Sequence, residues 1–461
     1  MGCPALIDCS LSPVTHARSM ALLTFVLLSL AASTRALPSC STPNQTAPSY
    51  PSSTLAFSTP PYSIADGANL TEFRINIPDQ AVEDLTTYVK LFKAPKATYE
   101  NSLDWTFGVT MDWLVDGVDY WLNNFDWRKE EEKLNSIPQF KLAFNDDDGE
   151  SYSVHFAALF SGKKDAIPII LSHGWPDLYM IYMPILQKVQ QQYAESPDQL
   201  PYHLIVPSLI GTGFSSAPPV SKPFYTPDTA RIWNKLMVNL GFGEKGYIAQ
   251  GNDVGTMISE YMLASYDECK ASHITLWWGH PAYNATTEPP ANALEAHALG
   301  RIAEINKWGN ANVLLHADRS STAGLTIGTS PISMLTWIGE RMVLWSDPGA
   351  PLSYDVIIPT VAVYWFTQTY PTSYWCYAQF RTTTANSNDT LPAFPAQSHK
   401  PEGFSWFPNE VGDVPKSYFE DHSDIYTYFY QHDVGGHFSS TEQPDLLWAD
   451  IEDFVSKVWQ G

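Results

Sequence analysis

Asp253 lies between two glycines, Gly251 and Gly255, at a spacing that suits a nucleophile. Residues 247–249 are apolar and predict the end of a buried strand, and the residues after Gly255 place apolar side chains at helical spacing. Small residues two positions on either side of a nucleophile suit a sharp strand–turn–helix corner, where the chain turns too tightly for large side chains. An aspartate is ionised at neutral pH because its ordinary pKa is about 3.9, so it can displace a leaving group from a saturated carbon and leave an ester on the protein. The five residues alone are more typical of a loop that caps a helix, so this prediction depends on partners elsewhere in the chain.

His437 is the predicted base that releases such an ester. Hydrolysis needs a water molecule, a base that activates it and a group that orients the base. His437 follows two glycines in a loop predicted between a strand and the last helix, and these glycines let the backbone bring the imidazole over the edge of the sheet. The rivals are His422 and His432, and neither stands in such a turn.

Glu410 is the predicted group that orients His437. It follows the preceding predicted strand, where an orienting carboxylate belongs, and Asp413 is the alternative. The order Asp253, Glu410, His437 along the chain matches the order of the catalytic triad in α/β-hydrolases.

Backbone N–H groups are predicted to form an oxyanion hole for the Asp253 carboxyl oxygen, which becomes negatively charged when water attacks the ester. Val254 supplies one N–H, directly after the nucleophile. Trp175 supplies the other, from the loop His173-Gly174-Trp175-Pro176.

Strands that alternate with helices position these loops. Strands are predicted at residues 141–144, 152–160, 169–171, 203–206, 247–249, 273–278, 404–407 and 425–430, and the first two form a hairpin around Asp148 and Gly149. This alternation predicts an α/β fold with a mostly parallel sheet, in which ligands gather at the carboxyl ends of the strands. The loops that carry the candidate residues all follow predicted strands.

Helical patterns before and within the alternation predict two additions to this core. A helical pattern begins at Asn69, and further helical patterns at residues 332–345 and 361–380 predict a lid over the strand ends. The predicted segments are a signal peptide (1–36), a flexible lead (37–68), a helical N-terminal domain (69–139), the first part of the core (140–281), a helical lid (282–392) and the second part of the core (393–461).

The composition argues against several classes of protein. Hydrophobic residues make up 44% and aromatic residues 13% of the 461 residues, which argues against extended disorder. A formal net charge of −23 argues against nucleic acid as a partner. No cysteine–histidine spacing suggests zinc, and the predicted chemistry needs no metal or organic cofactor.

The N-terminus predicts export. An uncharged apolar run from Met20 to Ala32 follows Arg18 and precedes small residues, which is the order of a secretory signal, and the run is short for a membrane span. Four Asn-x-Thr patterns indicate a glycosylating compartment, and they begin at Asn44, Asn69, Asn284 and Asn388. We therefore predict a secreted protein, the alternative being an uncleaved N-terminus that anchors the chain in the endoplasmic-reticulum membrane.

Cleavage of the signal would leave three cysteines, Cys40, Cys269 and Cys376, and so at most one disulfide within the chain.

Several separated motifs, in this order, resemble the signatures of epoxide hydrolases with the α/β-hydrolase fold. They are His173-Gly174-Trp175-Pro176, Gly251-Asn252-Asp253-Val254-Gly255, Phe407-Pro408-Asn409-Glu410 and Gly435-Gly436-His437-Phe438. Residues Tyr120–Arg128 resemble the N-terminal domain of the microsomal branch, and residues Trp337–Arg341 resemble the lid of fungal members. The resemblance runs from about residue 69 to the end of the chain, and it implies a small-molecule epoxide as substrate and a vicinal diol as product.

The resemblance also implies that two lid tyrosines hold and protonate the epoxide oxygen. One of them aligns with Tyr377. At the other position this chain has Asn312, whose amide can donate a hydrogen bond but is not a useful acid. We therefore expect Tyr377 to activate the ring and Asn312 and Trp175 to contact the substrate, with Tyr283 and His316 as alternative donors.

Two other functions use the same residues. A haloalkane or haloacid dehalogenase has the same aspartate nucleophile but must bind halide with N–H donors. Enzymes that cleave haloalkanes often have tryptophan directly after the aspartate, where this chain has Val254, although Trp175 could serve. The third function is a ligand-binding homologue with impaired catalysis, which Asn312 suggests and the complete triad argues against.

Overall fold

The computed structural model describes most of the chain from residue 56 onward. The described residues are 56–277, 289–309, 311–381, 392–393, 398–412, 414–418 and 426–460. The predicted signal peptide lies outside them. So do several residues named above, which are Cys40, Asn44, Tyr283, Asn284, Asn388, Asp413 and His422.

A nine-stranded sheet forms the centre of the described chain. Its strands are β1 (Asn69–Phe73), β2 (Gln139–Asn145), β3 (Ser151–Leu159), β4 (Ile167–Ser172), β5 (Tyr202–Pro207), β6 (Tyr247–Gly251), β7 (Cys269–Ile274), β8 (Glu402–Trp406) and β9 (Tyr426–Gln431). Their spatial order is β1-β2-β3-β5-β4-β6-β7-β8-β9. Antiparallel pairs join β1, β2, β3 and β5, and all pairs from β5 through β4 to β9 are parallel. The structure therefore confirms the predicted mostly parallel sheet and the predicted β2–β3 hairpin.

Helices connect the strands and build the insertion between β7 and β8. The α-helices of the described chain are α1 (Asp79–Lys90), α2 (Met111–Asn123), α3 (Trp127–Leu134), α4 (Met183–Gln192), α5 (Thr226–Met237), α6 (Val254–Ser265), α7 (Ala293–Glu304), α8 (Ala311–Ile327), α9 (Pro331–Leu344), α10 (Tyr354–Thr367), α11 (Ser439–Glu442) and α12 (Pro444–Val458). A 3₁₀ helix, Pro371–Phe380, follows α10. Among the helices described, none is long and apolar enough to cross a membrane.

Residues Asn69–Phe73 form a strand, where the sequence pattern predicted the start of a helix. β1 pairs antiparallel with β2, from Asn69 opposite Ala143 to Phe73 opposite Gln139. Five residues are too few to distinguish a two-residue repeat from a helical repeat, and the edge of β2 offers backbone partners that only a strand can use. The predicted helical N-terminal segment therefore begins by extending the sheet, and helices α1 to α3 follow.

The strand after the predicted nucleophile also differs from the prediction. β7 begins at Cys269 and ends at Ile274, whereas the sequence predicted a strand at residues 273–278. Polar residues obscured its start, yet all of β7 except Lys270 is buried. His273 is accommodated because its Nε2 lies 3.1 Å from the Ser405 hydroxyl. Burial of a polar ring with a partner is thus compatible with a central strand.

The predicted helix at residues 361–380 is in fact two helices. α10 is followed by Gln368, whose φ of 54° is left-handed and ends the helix. The chain becomes helical again at Pro371, and proline is favoured in the first turn of a helix. This break separates the second helix, which carries Tyr377, from α10.

Candidate active site

Asp253 occupies the sharp turn between β6 and α6 that the sequence predicted. Its backbone has φ 49° and ψ −126°, in the positive-φ region that residues other than glycine rarely adopt. A Cβ at position 251 would lie 2.0 Å from the Gly255 carbonyl oxygen, and a Cβ at position 255 would lie 2.2 Å from the Ser172 carbonyl oxygen. Both glycines are therefore required by close backbone contacts, which hold Asp253 at the carboxyl end of β6.

His437 and Glu410 meet Asp253 at this edge of the sheet, in the loops that follow β9 and β8. His437 Nδ1 lies 2.6 Å from Glu410 Oε1, and His437 Nε2 lies 3.4 Å from Asp253 Oδ2. Both His437 and Glu410 are buried. The structure thus brings the three predicted triad residues together. His432, the rival within the described chain, instead pairs with Asp450, with 2.7 Å between Nε2 and Oδ2.

The two oxygens of the Asp253 carboxylate have different partners. The Trp175 N–H donates to Oδ1 at 2.9 Å, whereas Oδ2 faces His437. Gly174 permits this approach, since a Cβ there would lie 2.2 Å from the Asp253 Cβ. Val254 is buried and begins α6 directly after the nucleophile, and the role of its N–H as a second donor stays a prediction.

The two predicted lid residues are both buried. The ring of Tyr377 lies 5.4 Å from the ring of Trp175, nearly perpendicular to it. Burial raises the pKa of the Tyr377 hydroxyl well above its ordinary value, and the charge of Asp253 adds to this, so the phenol keeps its proton at neutral pH. Asn312 lies in α8, and neither polar atom of its amide has a hydrogen-bond partner among the described residues.

The two carboxylates beside His437 control its protonation. Burial disfavours the charged imidazolium, but the charges of Glu410 and Asp253 outweigh this effect and raise the pKa of His437 well above its ordinary value. An ester on Asp253 would remove one of these two charges and so favour the neutral imidazole that a base requires.

Comparisons with known proteins identify the family and the fold. Residues 70–181 match the family described as epoxide hydrolase N terminus, and residues 167–280 match the family described as alpha/beta hydrolase fold. The solved structure of Aspergillus niger epoxide hydrolase matches with a TM-score of 0.75 and 38% sequence identity, over 87% of this chain and 100% of that one. This chain belongs to the epoxide hydrolase family. The α/β-hydrolase fold predicted from the sequence is confirmed by the same matches.

Relatives extend this assignment over most of the enzyme. A protein of Dothistroma septosporum that carries the family name is 35% identical over 386 residues, which cover 83% of this chain and 89% of that protein. Epoxide hydrolase 1 of Sus scrofa is 26% identical over 432 residues, which cover 86% of this chain and 90% of the pig enzyme. The similarity therefore includes the N-terminal segment, the core and the lid.

Gly255→Ala is expected to destabilise the enzyme, because the new methyl group would overlap the Ser172 carbonyl oxygen. Overpacking typically costs about 1–3 kcal/mol, and rotation of a side chain cannot relieve a clash with the backbone. Gly300→Ala is the matched control, since a Cβ there meets nothing within 4 Å and the residue lies inside α7. Alanine is favoured over glycine in a helix by about 0.5–1 kcal/mol. Thermal unfolding should show a lower Tm for Gly255→Ala only, and equal Tm values would contradict this account of the turn.

The sequence did not reveal the residues that hold the His437 loop against the lid. Glu442 accepts hydrogen bonds from the Phe438 N–H at 2.8 Å and the Asp347 N–H at 2.7 Å. Asp347 in turn accepts from the Gly435 N–H at 2.8 Å. Burial raises the pKa of Glu442 to about 7. An acid shortly after the catalytic histidine was the available signal, but its partner in the lid is distant in the chain.

In the part of the chain that the structure describes, no group of histidine, cysteine, aspartate and glutamate is arranged to hold a metal ion. Cys269 and Cys376 are both buried free thiols, so the two do not form a disulfide with each other.

Proposed function

We propose that this epoxide hydrolase opens the ring of its substrate with Asp253 Oδ2. The observation that carries this proposal is the orientation of the carboxylate, because the Trp175 N–H donates to Oδ1 at 2.9 Å while Oδ2 faces His437, the proposed base. A bond forms between Oδ2 and a ring carbon while the bond from that carbon to the ring oxygen breaks, and the electron pair of the broken bond goes to the oxygen. Tyr377 donates its proton to this oxygen. The product of the step is a hydroxyalkyl ester of Asp253.

Water then releases the ester with His437 as the base. The water oxygen adds to the ester carbonyl carbon and its proton passes to His437 Nε2, while negative charge collects on Oδ1, which the Trp175 N–H faces. Collapse of this intermediate breaks the bond between the carboxyl carbon and the oxygen that is bound to the substrate. This oxygen takes the remaining proton of the attacking water and leaves as a hydroxyl of the vicinal diol, which restores the Asp253 carboxylate. The proton gained by His437 balances the proton given up by Tyr377, so one cycle consumes one epoxide and one water molecule.

The rate of ester hydrolysis is expected to fall at acidic pH. Glu410→Gln should shift this fall, the acidic limb of the pH–rate profile, to lower pH. The base must be the neutral imidazole of His437, and the charge of Glu410 raises its pKa. Since an opposite charge nearby shifts a pKa by about 1–3, its removal should move the limb down by at least about one pH unit. The measurement is the single-turnover rate of ester hydrolysis as a function of pH. A limb that stays in place in Glu410→Gln would show that Glu410 does not control the base.

Product analysis separates this function from the two alternatives. Purified enzyme is incubated with an aryl or alkyl epoxide and, separately, with a haloalkane. We expect diol from the epoxide and no release of halide. Halide without diol would indicate a dehalogenase, and binding of the epoxide without either product would indicate a catalytically impaired homologue.

The side chains around Asp253 argue against halide as a leaving group. The indole N–H of Trp175 donates to the Ser373 hydroxyl at 3.1 Å, so it is already engaged. The residue directly after the nucleophile is Val254, which has no side-chain donor. Neither side chain therefore offers the N–H donor that a halide site requires.

We also propose that the enzyme enters the secretory pathway. The apolar run of residues 20–32 and the four Asn-x-Thr patterns support this proposal. Asn69 is the acceptor of the pattern that falls in the described chain, and it is exposed at the start of β1. Expression in a eukaryotic host followed by endoglycosidase treatment should lower the mass of the secreted protein. Recovery of unglycosylated protein in the cytosol would contradict export, and glycosylated protein that sediments with membranes would favour the anchored alternative.

A further inference from the structure

His316 places a polar ring beside the residues that surround Asp253. It lies in α8 one turn after Asn312. The centroid of its ring is 4.7 Å from that of Trp175 and 4.7 Å from that of Tyr377, and both contacts are edge to face. The backbone of Trp175 holds Asp253 Oδ1, and Tyr377 is the proposed acid. His316 therefore contacts residues on both sides of the proposed reaction.

A single hydrogen bond fixes which ring nitrogen of His316 carries the proton. Trp337 Nε1 lies 3.0 Å from His316 Nε2. An indole N–H can only donate, so Nε2 must accept and cannot itself carry a hydrogen. The neutral imidazole therefore carries its hydrogen on Nδ1.

Among the residues that the structure describes, this Nδ1–H group makes no hydrogen bond. It is also buried, since the His316 side chain has no solvent exposure. Burial, together with the charge of Arg341, lowers the pKa of His316 to about 3, so the ring stays neutral at physiological pH. A buried donor without an acceptor is costly and uncommon, and beside an active site it points to an acceptor supplied by the ligand.

We propose that the Nδ1–H of His316 donates a hydrogen bond to the epoxide oxygen, beside the hydroxyl of Tyr377, and that Trp337 positions it for this role. The proposal rests on the proposed function. No proton leaves His316, because Tyr377 supplies the proton that the ring oxygen gains. The contribution of His316 is to stabilise the negative charge that grows on this oxygen as the ring bond breaks. A neutral imidazole is suited to this role, since it donates a hydrogen bond without changing its own charge.

Single-turnover kinetics of His316→Phe test this role, because phenylalanine retains an aromatic ring and removes the donor. The variant is mixed with excess styrene oxide, and formation and hydrolysis of the Asp253 ester are followed separately by mass spectrometry of quenched samples. Loss of one preorganised donor typically slows a reaction by about 10²–10³-fold, so ester formation should slow by about 10²-fold. Ester hydrolysis should stay within about threefold of wild type, because no charge develops on the former ring oxygen in that step. A merely structural role would slow both steps together.

Further variants complete the test. His203→Phe is the matched control, since His203 is buried at the amino end of β5, opposite the site, where its Nδ1 accepts from the Ser161 N–H at 3.0 Å. It should leave both steps unchanged. Trp337→Phe removes the N–H donor that keeps the hydrogen of His316 on Nδ1. It should slow ester formation by about tenfold and leave ester hydrolysis unchanged. His316→Gln should recover most of the rate lost in His316→Phe, because its amide can accept from Trp337 and still donate.

Three results would overturn the proposal. These are ester formation within about threefold of wild type in His316→Phe, equal losses in both steps, or a selective loss in Asn312→Leu that His316→Phe does not share. If His316→Phe does not fold, Trp337→Phe provides the test instead. An unchanged rate of ester formation in Trp337→Phe would then overturn the proposal. Failure of the wild-type enzyme to form diol from any epoxide would instead remove the proposed function, and the two failures are therefore distinguishable.

Discussion

Asp253→Asn is expected to lower diol formation by about 10⁴-fold or more, because the neutral amide cannot attack a ring carbon. Asparagine keeps the size of the side chain and tolerates a positive φ better than most residues, so the turn at φ 49° should be preserved. Its amide oxygen can still accept from the Trp175 N–H. Steady-state diol formation from styrene oxide measures the loss, and thermal unfolding should show a fold close to that of the wild type.

A second buried carboxylate provides the control for this substitution. Asp450 accepts from the Ser405 hydroxyl and pairs with His432, away from Asp253. Asp450→Asn should retain diol formation of the wild-type order, even if its Tm falls. Diol formation in Asp253→Asn above about one hundredth of the wild-type rate would remove Asp253 as the nucleophile.

His437→Gln is expected to trap the enzyme as its ester. Ring opening uses Asp253 and Tyr377 and should continue, whereas the water that releases the ester loses its base, and general-base catalysis typically contributes about 10²–10⁴-fold. Glutamine can still donate a hydrogen bond to Glu410. It therefore avoids the cost of about 3–5 kcal/mol that a buried carboxylate without a partner would carry. Rapid-quench kinetics should show a burst of about one ester per enzyme molecule, followed by slow turnover.

The neighbouring histidine is the matched control. His432 lies in the same part of the chain but pairs with Asp450. His432→Gln should show no burst and turn over at the wild-type order. Slow ring opening without a burst in His437→Gln would mean that His437 acts before the ester forms, which would contradict the assignment of separate roles.

The sequence predicted the nucleophile turn because its requirements are local. Gly251 and Gly255 are needed by contacts between neighbouring segments of backbone, and the flanking patterns identify the strand and the helix. Glu410 and His437 were predictable because each follows a parallel strand, and the carboxyl ends of such strands meet at one edge of the sheet. Position along the chain therefore carried enough information to place these side chains together.

Other features depend on contacts that no local pattern encodes. β1 is a strand because the edge of β2 accepts it, although its five residues also fit the start of a helix. The Nδ1–H tautomer of His316 depends on Trp337, which lies in the next helix of the lid. Glu442 braces the His437 loop through Asp347, whose place beside it is set only by tertiary packing.

Intact-mass analysis of His437→Gln after exposure to an epoxide shows whether Asp253 attacks the ring carbon. We expect a mass increase equal to one epoxide molecule, and peptide mapping should locate it on Asp253. Absence of this adduct, with a substrate that the wild-type enzyme converts to diol, would contradict attack by Asp253 on the ring carbon.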